Sequence, residues 1–220
     1  LSAPTKVIID EVNDSLIIAD SGNKRVVRWL RRNGLSGETI IKDVECVDLI
    51  MHKNQYLYIC DDEKHEVRRW KIGENEGVLV AGGNGCGNDL NQLNTPHFIF
   101  VDQEDTLYAS DWNNDRVMKW MKGAKEGIIV AGGQGPGASL KQLNSPQGIL
   151  VDKLGTVYVA EAGNDRIVRW IKGAKEGSII AGGTKPNQLN VPIGLSFDEE
   201  NNLYIVDSEN HRIQKFVVDS

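Results

Sequence analysis

The chain has 220 residues, a formal net charge of -6 at pH 7 and 40% hydrophobic residues. The acidic balance argues against a dominant nonspecific attraction to nucleic acid, and no apolar run has the length of a membrane span. The length fits one large domain or two small ones with a substantial core.

Internal repeats are the main feature of the sequence. WMKGAKEGIIVAGG at residues 120–133 and WIKGAKEGSIIAGG at residues 170–183 are nearly identical. An aromatic residue marks each of five repeats, and an acid stands nine residues before it. The aromatics are Trp29, Trp70, Trp120, Trp170 and Phe216, and the acids are Asp20, Asp61, Asp111, Glu161 and Asp207.

Each repeat has the pattern of four short strands. In the fourth repeat these are residues 148–152, 156–160, 166–171 and 178–181, which are rich in β-branched residues and bounded by Gly, Asn or Asp. Short turns between them predict one antiparallel sheet and no helix. Because the strands are apolar on both faces, neighbouring sheets must cover them, which predicts a β-propeller with the aromatic residues in its core.

The predicted blades form a single all-β domain over residues 1–220. Their approximate bounds are 4–43, 46–83, 96–133, 146–183 and 192–218. The first begins almost at once with its inner strand, and the last ends after its third strand, at residues 212–218. We therefore expect five blades of which the last lacks its outer strand, and an upstream blade or a second chain that completes the ring.

The second repeat departs most from the pattern. Cys46 replaces a proline, His52 replaces an aspartate, and Lys64 and Glu66 replace the usual Asn and Arg. A repeat under relaxed constraint is favoured over a specialised site. The three cysteines are too irregularly spaced for a disulfide framework or a zinc cluster.

The Asp-x-x-Asn-x-Arg element between the second and third strands is polar enough to suggest catalysis. It recurs in four of the five repeats, with Glu in place of Asp in one of them. An acid at the end of one strand and an Arg five positions later can form an ion pair across the hairpin, while Asn caps the turn. A structural role is therefore expected, and Glu66 removes this pairing from the second repeat.

The stretch PQGILVDKLGTVYVAEAGNDRIVRW at residues 146–170, repeated in outline along the chain, resembles the NHL repeat. The resemblance implies a β-propeller, most often six-bladed, that serves as a binding platform for proteins or RNA and sometimes as a lyase or a sensor domain.

Candidate ligand-binding residues lie in loops that meet at one end of each blade. They come from the turn before the first strand and from the hairpin between the second and third strands. These rim residues are His97, Trp112, Asn113, Gln147, His65 and His211. Loops on a rigid scaffold are a typical place for a ligand.

The leading functional hypothesis is a noncatalytic platform that binds a protein, peptide or glycan, without a cofactor, a metal or a catalytic residue. The four histidines lack the spacing of a metal motif. The alternative is a metal-dependent lyase or hydrolase using residues such as His97 and Asp102. Resemblance to the NHL-like lyase that makes peptide amides would imply histidine-bound zinc.

RNA binding through a basic belt is a further alternative, but it is not favoured. The belt consists of the residue before each aromatic: Arg28, Arg69, Lys119, Arg169 and Lys215. Aliphatic stems that cover the blade edge explain it more simply. The sequence indicates no cellular compartment.

Overall fold

The computed structural model describes residues 1–32, 34–183 and 188–217. It divides into two compact units. One contains Leu1–Leu107 with Trp120–Glu126, and the other contains Tyr108–Lys119 with Gly127–Ser220. The division runs through the third repeat and does not follow a repeat boundary.

The first two repeats each form a four-stranded antiparallel sheet with its strands in chain order. The first sheet consists of β1 (Pro4–Asp10), β2 (Ser15–Asp20), β3 (Arg25–Leu30) and β4 (Glu38–Lys42). The second consists of β5 (Cys46–His52), β6 (Tyr56–Asp61), β7 (Glu66–Lys71) and β8 (Val78–Gly82).

The later repeats follow the same order. The third sheet consists of β9 (Pro96–Val101), β10 (Leu107–Asp111), β11 (Arg116–Trp120) and β12 (Ile128–Gly132). The fourth consists of β13 (Pro146–Val151), β14 (Val157–Glu161), β15 (Arg166–Trp170) and β16 (Ser178–Gly182). The fifth has three strands among the described residues: β17 (Pro192–Phe197), β18 (Asn202–Asp207) and β19 (Arg212–Val217).

The predicted strands are confirmed to within a residue or two. Residues 166–171 were expected as one strand, and β15 ends one residue earlier, at Trp170. Among the described residues, the fifth sheet has no outer strand, as expected. The last residue of the predicted fifth blade, Val218, lies outside the described residues.

The turns contain short 3-10 segments that the sequence did not predict. Four of them join the second and third strands of a repeat and end on its Asn: Ser21–Asn23, Trp112–Asn114, Ala162–Asn164 and Ser208–Asn210. The second repeat instead has its 3-10 segment between its first and second strands, at Lys53–Gln55. No helix in the described part of the chain is long and apolar enough to cross a membrane.

In the first unit, side chains of the first and second sheets share one core. Ile17 and Val26 of the first sheet pack with Leu49 and Leu57 of the second, and all four are fully buried. Trp70 belongs to the same cluster. Apolar contact between sheets is thus what stabilises this unit.

In the second unit, the fourth and fifth sheets share a core in the same way. Ile167 of the fourth sheet packs with Leu203 and Ile205 of the fifth, and all three are fully buried. Trp170, at the end of β15, is also buried, as the repeat pattern predicted.

The three cysteines have two different environments. Cys46 and Cys60 are buried on neighbouring strands of the second sheet, whereas Cys86 is exposed in the loop after β8. All three are free thiols.

Candidate functional site

A hydrogen-bonded scaffold shapes the hairpin between the second and third strands. In the third repeat, Asp111 Oδ2 accepts a hydrogen bond from Asn114 Nδ2 at 2.8 Å and one from Arg116 Nε at 2.7 Å. Both partners of this ion pair are buried. The structural role predicted for the Asp-x-x-Asn-x-Arg element is confirmed here, and the element holds the turn that carries Trp112 and Asn113.

The same element recurs in the fifth repeat with a more exposed arginine. Asp207 accepts hydrogen bonds from the backbone N–H of Asn190 at 2.6 Å and from Arg212 Nε at 2.7 Å. Burial acts to raise the pKa of Asp207, but these bonds and those from Asn210 and Gln214 outweigh it and lower the pKa to about 2. The carboxylate therefore stays ionised.

A second contact ties the hairpins of the third and fourth repeats to the start of the next repeat. Asp115 Oδ1 accepts the backbone N–H of Ser145 at 2.9 Å, and Asp165 Oδ1 accepts that of Val191 at 2.8 Å. We call this contact the inter-repeat latch. Each acceptor follows its 3-10 turn with a left-handed backbone, at φ 49° and φ 51°.

His65 performs the latch role in the second repeat. Its Nδ1 accepts the backbone N–H of Thr95 at 3.0 Å, and its φ is 55°. His65 thus contacts the turn that leads into His97, two residues further on. This structural contact was missed because the sequence shows histidine where the third and fourth repeats have aspartate.

Of the other candidate rim residues, the two expected in the turn before the first strand lie just inside that strand, and the rest lie in or directly after the hairpin turn. His97 and Gln147 are the second residues of β9 and β13, and both are half-buried. Trp112 is half-buried and Asn113 exposed in their 3-10 turn. His211 is exposed and directly follows the turn of the fifth repeat. A ligand-binding role for these residues stays a prediction.

Strand register explains why such residues come from one end of a repeat. In the fourth sheet Pro146 pairs with Glu161, so that Gln147 lies near the start of its strand, at the end where the 3-10 turn follows β14. The second sheet has the same register, with Cys46 opposite Asp61. The start of the first strand and the end of the second therefore adjoin within each of these sheets.

Asp62 is a rim residue that sequence reasoning missed. It is half-buried at the position that Trp112 occupies in the third repeat. Burial raises the pKa of Asp62, the nearby Glu45 carboxylate raises it further, and His97 opposes both effects. His97 and Asp62 therefore lie within electrostatic range of each other. An acid at this position, where the other repeats have no charge, was the available signal.

The repeats of this chain resemble those of known proteins. The NHL repeat family matches at residues 189–216. The human NHL repeat-containing protein 2 is 29% identical over 101 residues, which is 39% of this chain and 14% of that protein. The predicted resemblance to the NHL repeat is confirmed at residues 189–216. The region shared with the human protein is thus a small part of that protein's length.

Solved structures confirm the predicted β-propeller class of this chain. A structure titled as a nidogen/laminin complex has a TM-score of 0.72 at 18% identity, covering 97% of this chain and 75% of that one. A streptogramin B lyase has a TM-score of 0.68 at 13% identity, covering 100% of this chain and 70% of that one. At these identities the likeness shows the fold alone.

Side chains of the basic belt contact residues of their own blades. Arg69 lies over the ring of Tyr56 at 4.6 Å, Lys119 over Tyr108 at 5.3 Å and Lys215 over Tyr204 at 5.5 Å. Arg28 donates to Glu38 at 2.7 Å. The sequence favoured aliphatic stems that cover the blade edge. The structure places tyrosine rings and Glu38 beside the charged heads.

Asp102, which the lyase hypothesis paired with His97, has a different position. It follows β9, whereas His97 lies at the other end of that strand. Asp102 Oδ1 accepts the backbone N–H groups of Glu104 at 3.0 Å and Thr106 at 2.8 Å. It is therefore a turn residue, and β9 does not bring it together with His97. In the described ranges, no group of three or more His, Cys, Asp or Glu side chains is placed to hold a metal ion.

Proposed function

We propose that this NHL-repeat chain is a noncatalytic binding platform for a protein, peptide or glycan, and that the ligand contacts the rim residues. The observation that carries the proposal is that the hydrogen bonds holding the hairpin recur between repeats, whereas the side chains on the turn differ. The Asp–Asn and Asp–Arg bonds of the first, third and fifth repeats are the same. The first residue of the turn nevertheless changes from Ser21 to Trp112 to Ser208.

This arrangement supports recognition for a physical reason. The scaffold fixes the backbone of these hairpins, so that the turn loses little backbone freedom when a ligand binds. Trp112 offers a large surface and His97 can donate or accept a hydrogen bond. Such a combination fits a ligand with both apolar and polar groups.

The test is a binding screen with the whole chain on glycan and peptide arrays, followed by titration of each hit. His97→Ala and Trp112→Ala, singly and together, should weaken the hit's affinity, and the double variant should lose at least roughly tenfold. Leu154→Ala, an exposed residue in the turn after β13, is the matched control and should leave the affinity unchanged.

Unchanged affinity in the double variant would show that the ligand binds elsewhere on the chain. Turnover of any hit by the purified chain would show that the function is catalytic. Either result would contradict the proposal.

A further inference from the structure

Two turns of the fourth sheet carry exposed apolar side chains. Leu154 lies in the turn between β13 and β14, and Ile171 begins the turn between β15 and β16. Leu154 is 81% exposed and Ile171 is 62% exposed. One exposed apolar residue is common on a protein surface, whereas neighbouring ones form a patch.

Strand pairing brings these two turns to the same end of the sheet. Val157, the first residue of β14, pairs with Trp170, the last residue of β15. The turn before Val157 therefore adjoins the turn after Trp170. The Lys172 side chain crosses between them, because a Cβ on Gly155 would lie 3.2 Å from Lys172 Cδ. We call the two turns together, residues 152–156 and 171–177, the fourth tip.

Hydrogen bonds to the backbone hold both turns in shape. Asp152 Oδ1 accepts the Leu154 N–H at 2.9 Å and the Thr156 N–H at 2.8 Å. In the second turn, the Ala174 N–H donates to the Ile171 carbonyl at 2.8 Å. The fourth tip would therefore lose little backbone freedom on binding to a surface.

Lysine side chains surround the apolar pair. Lys153, Lys172 and Lys175 are all exposed. Among the described residues of the fourth repeat, the ion pair is that of Arg166 with Glu161, at the other end of the sheet. The three ammonium groups of the tip are thus unpaired within this part of the chain, and they outnumber its two acids.

The first repeat has a similar apolar pair with differently placed charges. Val12, in the turn between β1 and β2, is 79% exposed, and Leu30, the last residue of β3, is 57% exposed. There Asp14 forms ion pairs with Arg31 at 3.3 Å and with Arg32 at 3.5 Å. Apolar exposure is therefore comparable in the two repeats, but the cations of the first are paired with an acid.

We propose that the fourth tip binds the surface of a membrane that contains anionic phospholipids. Leu154 and Ile171 would enter the interface between headgroups and acyl chains. The lysine ammonium groups would lie at the lipid phosphates, with their aliphatic stems beside the apolar pair.

The shape of the fourth tip favours a membrane over a peptide. Its apolar side chains project from the ends of turns, whereas helical and polyproline peptides insert their own anchors into a groove of the protein. Two side chains give little apolar contact, and salt screens the attraction between lysines and lipid. Binding should therefore need both contributions.

The fourth tip is separate from the candidate rim residues. Gln147 and the 3-10 turn after β14 lie at the opposite end of the fourth sheet. The membrane proposal does not rest on the proposed binding platform, so either can fail without the other.

The test is cosedimentation of the whole chain with lipid vesicles. We expect binding to phosphatidylcholine vesicles that contain about 30% phosphatidylserine, and at least roughly tenfold weaker binding to phosphatidylcholine alone. Binding should be measured at about 50 mM salt and should be lost at about 0.5 M salt, because the electrostatic attraction is then screened.

Two variants of the fourth tip separate its two contributions. Leu154→Ser with Ile171→Ser should weaken vesicle binding at least roughly fivefold. Lys153→Gln, Lys172→Gln and Lys175→Gln together should weaken it at least roughly tenfold. Both variants should unfold in urea like the parent chain, because the altered side chains are exposed.

The first repeat supplies the matched control. Val12→Ser with Leu30→Ser removes an apolar pair of similar exposure and should leave vesicle binding unchanged. A loss equal to that of the Leu154 and Ile171 variant would show that exposed apolar residues act without regard to their position, and would overturn the proposal.

Three further results would overturn it. One is equal binding to the vesicles with and without phosphatidylserine. Another is no binding at lipid concentrations of about 1 mM. The third is binding of a labelled polyglutamate peptide that the triple lysine variant abolishes, without binding to vesicles, which would mean that the tip recognises an acidic polypeptide.

Discussion

The second and fifth repeats differ in the charges that face each other across the same hairpin. In the fifth, Asp207 pairs across the strands with Arg212, and its pKa is lowered to about 2. In the second, Asp61 pairs across the strands with Glu66. Burial raises the pKa of Asp61, the Glu66 carboxylate adds to that effect, and hydrogen bonds from Lys64 oppose it.

The difference shows which contacts set the hairpin's shape. Without the cross-strand arginine, the Lys64 N–H reaches Asp61 at 2.9 Å and Arg68 Nε reaches Glu66 at 2.6 Å. β6 and β7 still pair without a register shift, from Tyr56 opposite Lys71 to Asp61 opposite Glu66. Val67 is fully buried. Backbone pairing and apolar burial therefore keep these strands together even without the ion pair, and the charges set the response to pH.

The largest expected effect comes from removing the arginine in a repeat that depends on it. Arg116→Met would leave Asp111 buried beside an apolar residue and should lower the free energy of unfolding by about 3–5 kcal/mol. Arg212→Met is the matched comparison: its ion pair has the same 2.7 Å distance, but its side chain is 44% exposed. That variant should lose only about 1 kcal/mol.

Urea denaturation of the two variants and the parent chain measures both changes. Equal losses would mean that burial of the arginine does not decide the strength of the pair, contrary to the comparison of repeats.

The next effect is that the stabilising contributions of Asp207 and Asp61 change in opposite directions with pH. The folded pKa of Asp207 lies below the ordinary value of 3.8, so its stabilising contribution is full above that value and is lost as pH falls towards about 2. The folded pKa of Asp61 lies above 3.8, so its contribution is greatest at acidic pH and is lost as pH rises through the folded pKa.

Asp207→Asn should therefore destabilise the chain at pH 7 more than at low pH, whereas Asp61→Asn should be better tolerated at pH 7 than at low pH. Urea denaturation between about pH 2.5 and pH 7 measures the two trends. Parallel pH trends in both variants would contradict the opposite pKa shifts.

The smallest effect concerns the inter-repeat latch. His65 Nδ1 accepts the Thr95 N–H, so His65→Ala should speed hydrogen exchange at Thr95, because that amide loses its acceptor. The Ser145 and Val191 amides, whose acceptors are Asp115 and Asp165, are internal controls. His65→Asp should keep the Thr95 amide protected, as Asp115 protects Ser145, and change stability by no more than about 1 kcal/mol.

Hydrogen exchange followed by NMR at one fixed pH measures this effect. A Thr95 amide that exchanges at the same rate in His65→Ala and in the parent chain would show that the imidazole bond is not needed for protection.

Much of the fold could be predicted because its determinants recur in the sequence. The spacing of the acids and aromatics gave the repeats, and the order Asp, Asn, Arg gave the ion pair of Asp111 and Arg116. Less could be predicted in the second repeat, where no repeated pattern indicates that Lys64 contacts Asp61 or that His65 is a latch. These contacts depend on side chains that occur once.

The rim was predicted less completely for a similar reason. Alternating strand direction placed His97 and Gln147 at the turn end of their strands, because that follows from topology. It could not show that Asp62 shares the electrostatic environment of His97, since this depends on burial and on Glu45.

The cysteines of the second repeat make its opening measurable by simple chemistry. Burial raises the pKa of both the Cys46 and the Cys60 thiol well above its ordinary value, so neither forms the reactive thiolate while the sheet is closed. Cys86 is exposed and reacts first. Once Cys86 is blocked, the rate at which a maleimide consumes the remaining thiols reports how often this sheet opens, without any engineered probe.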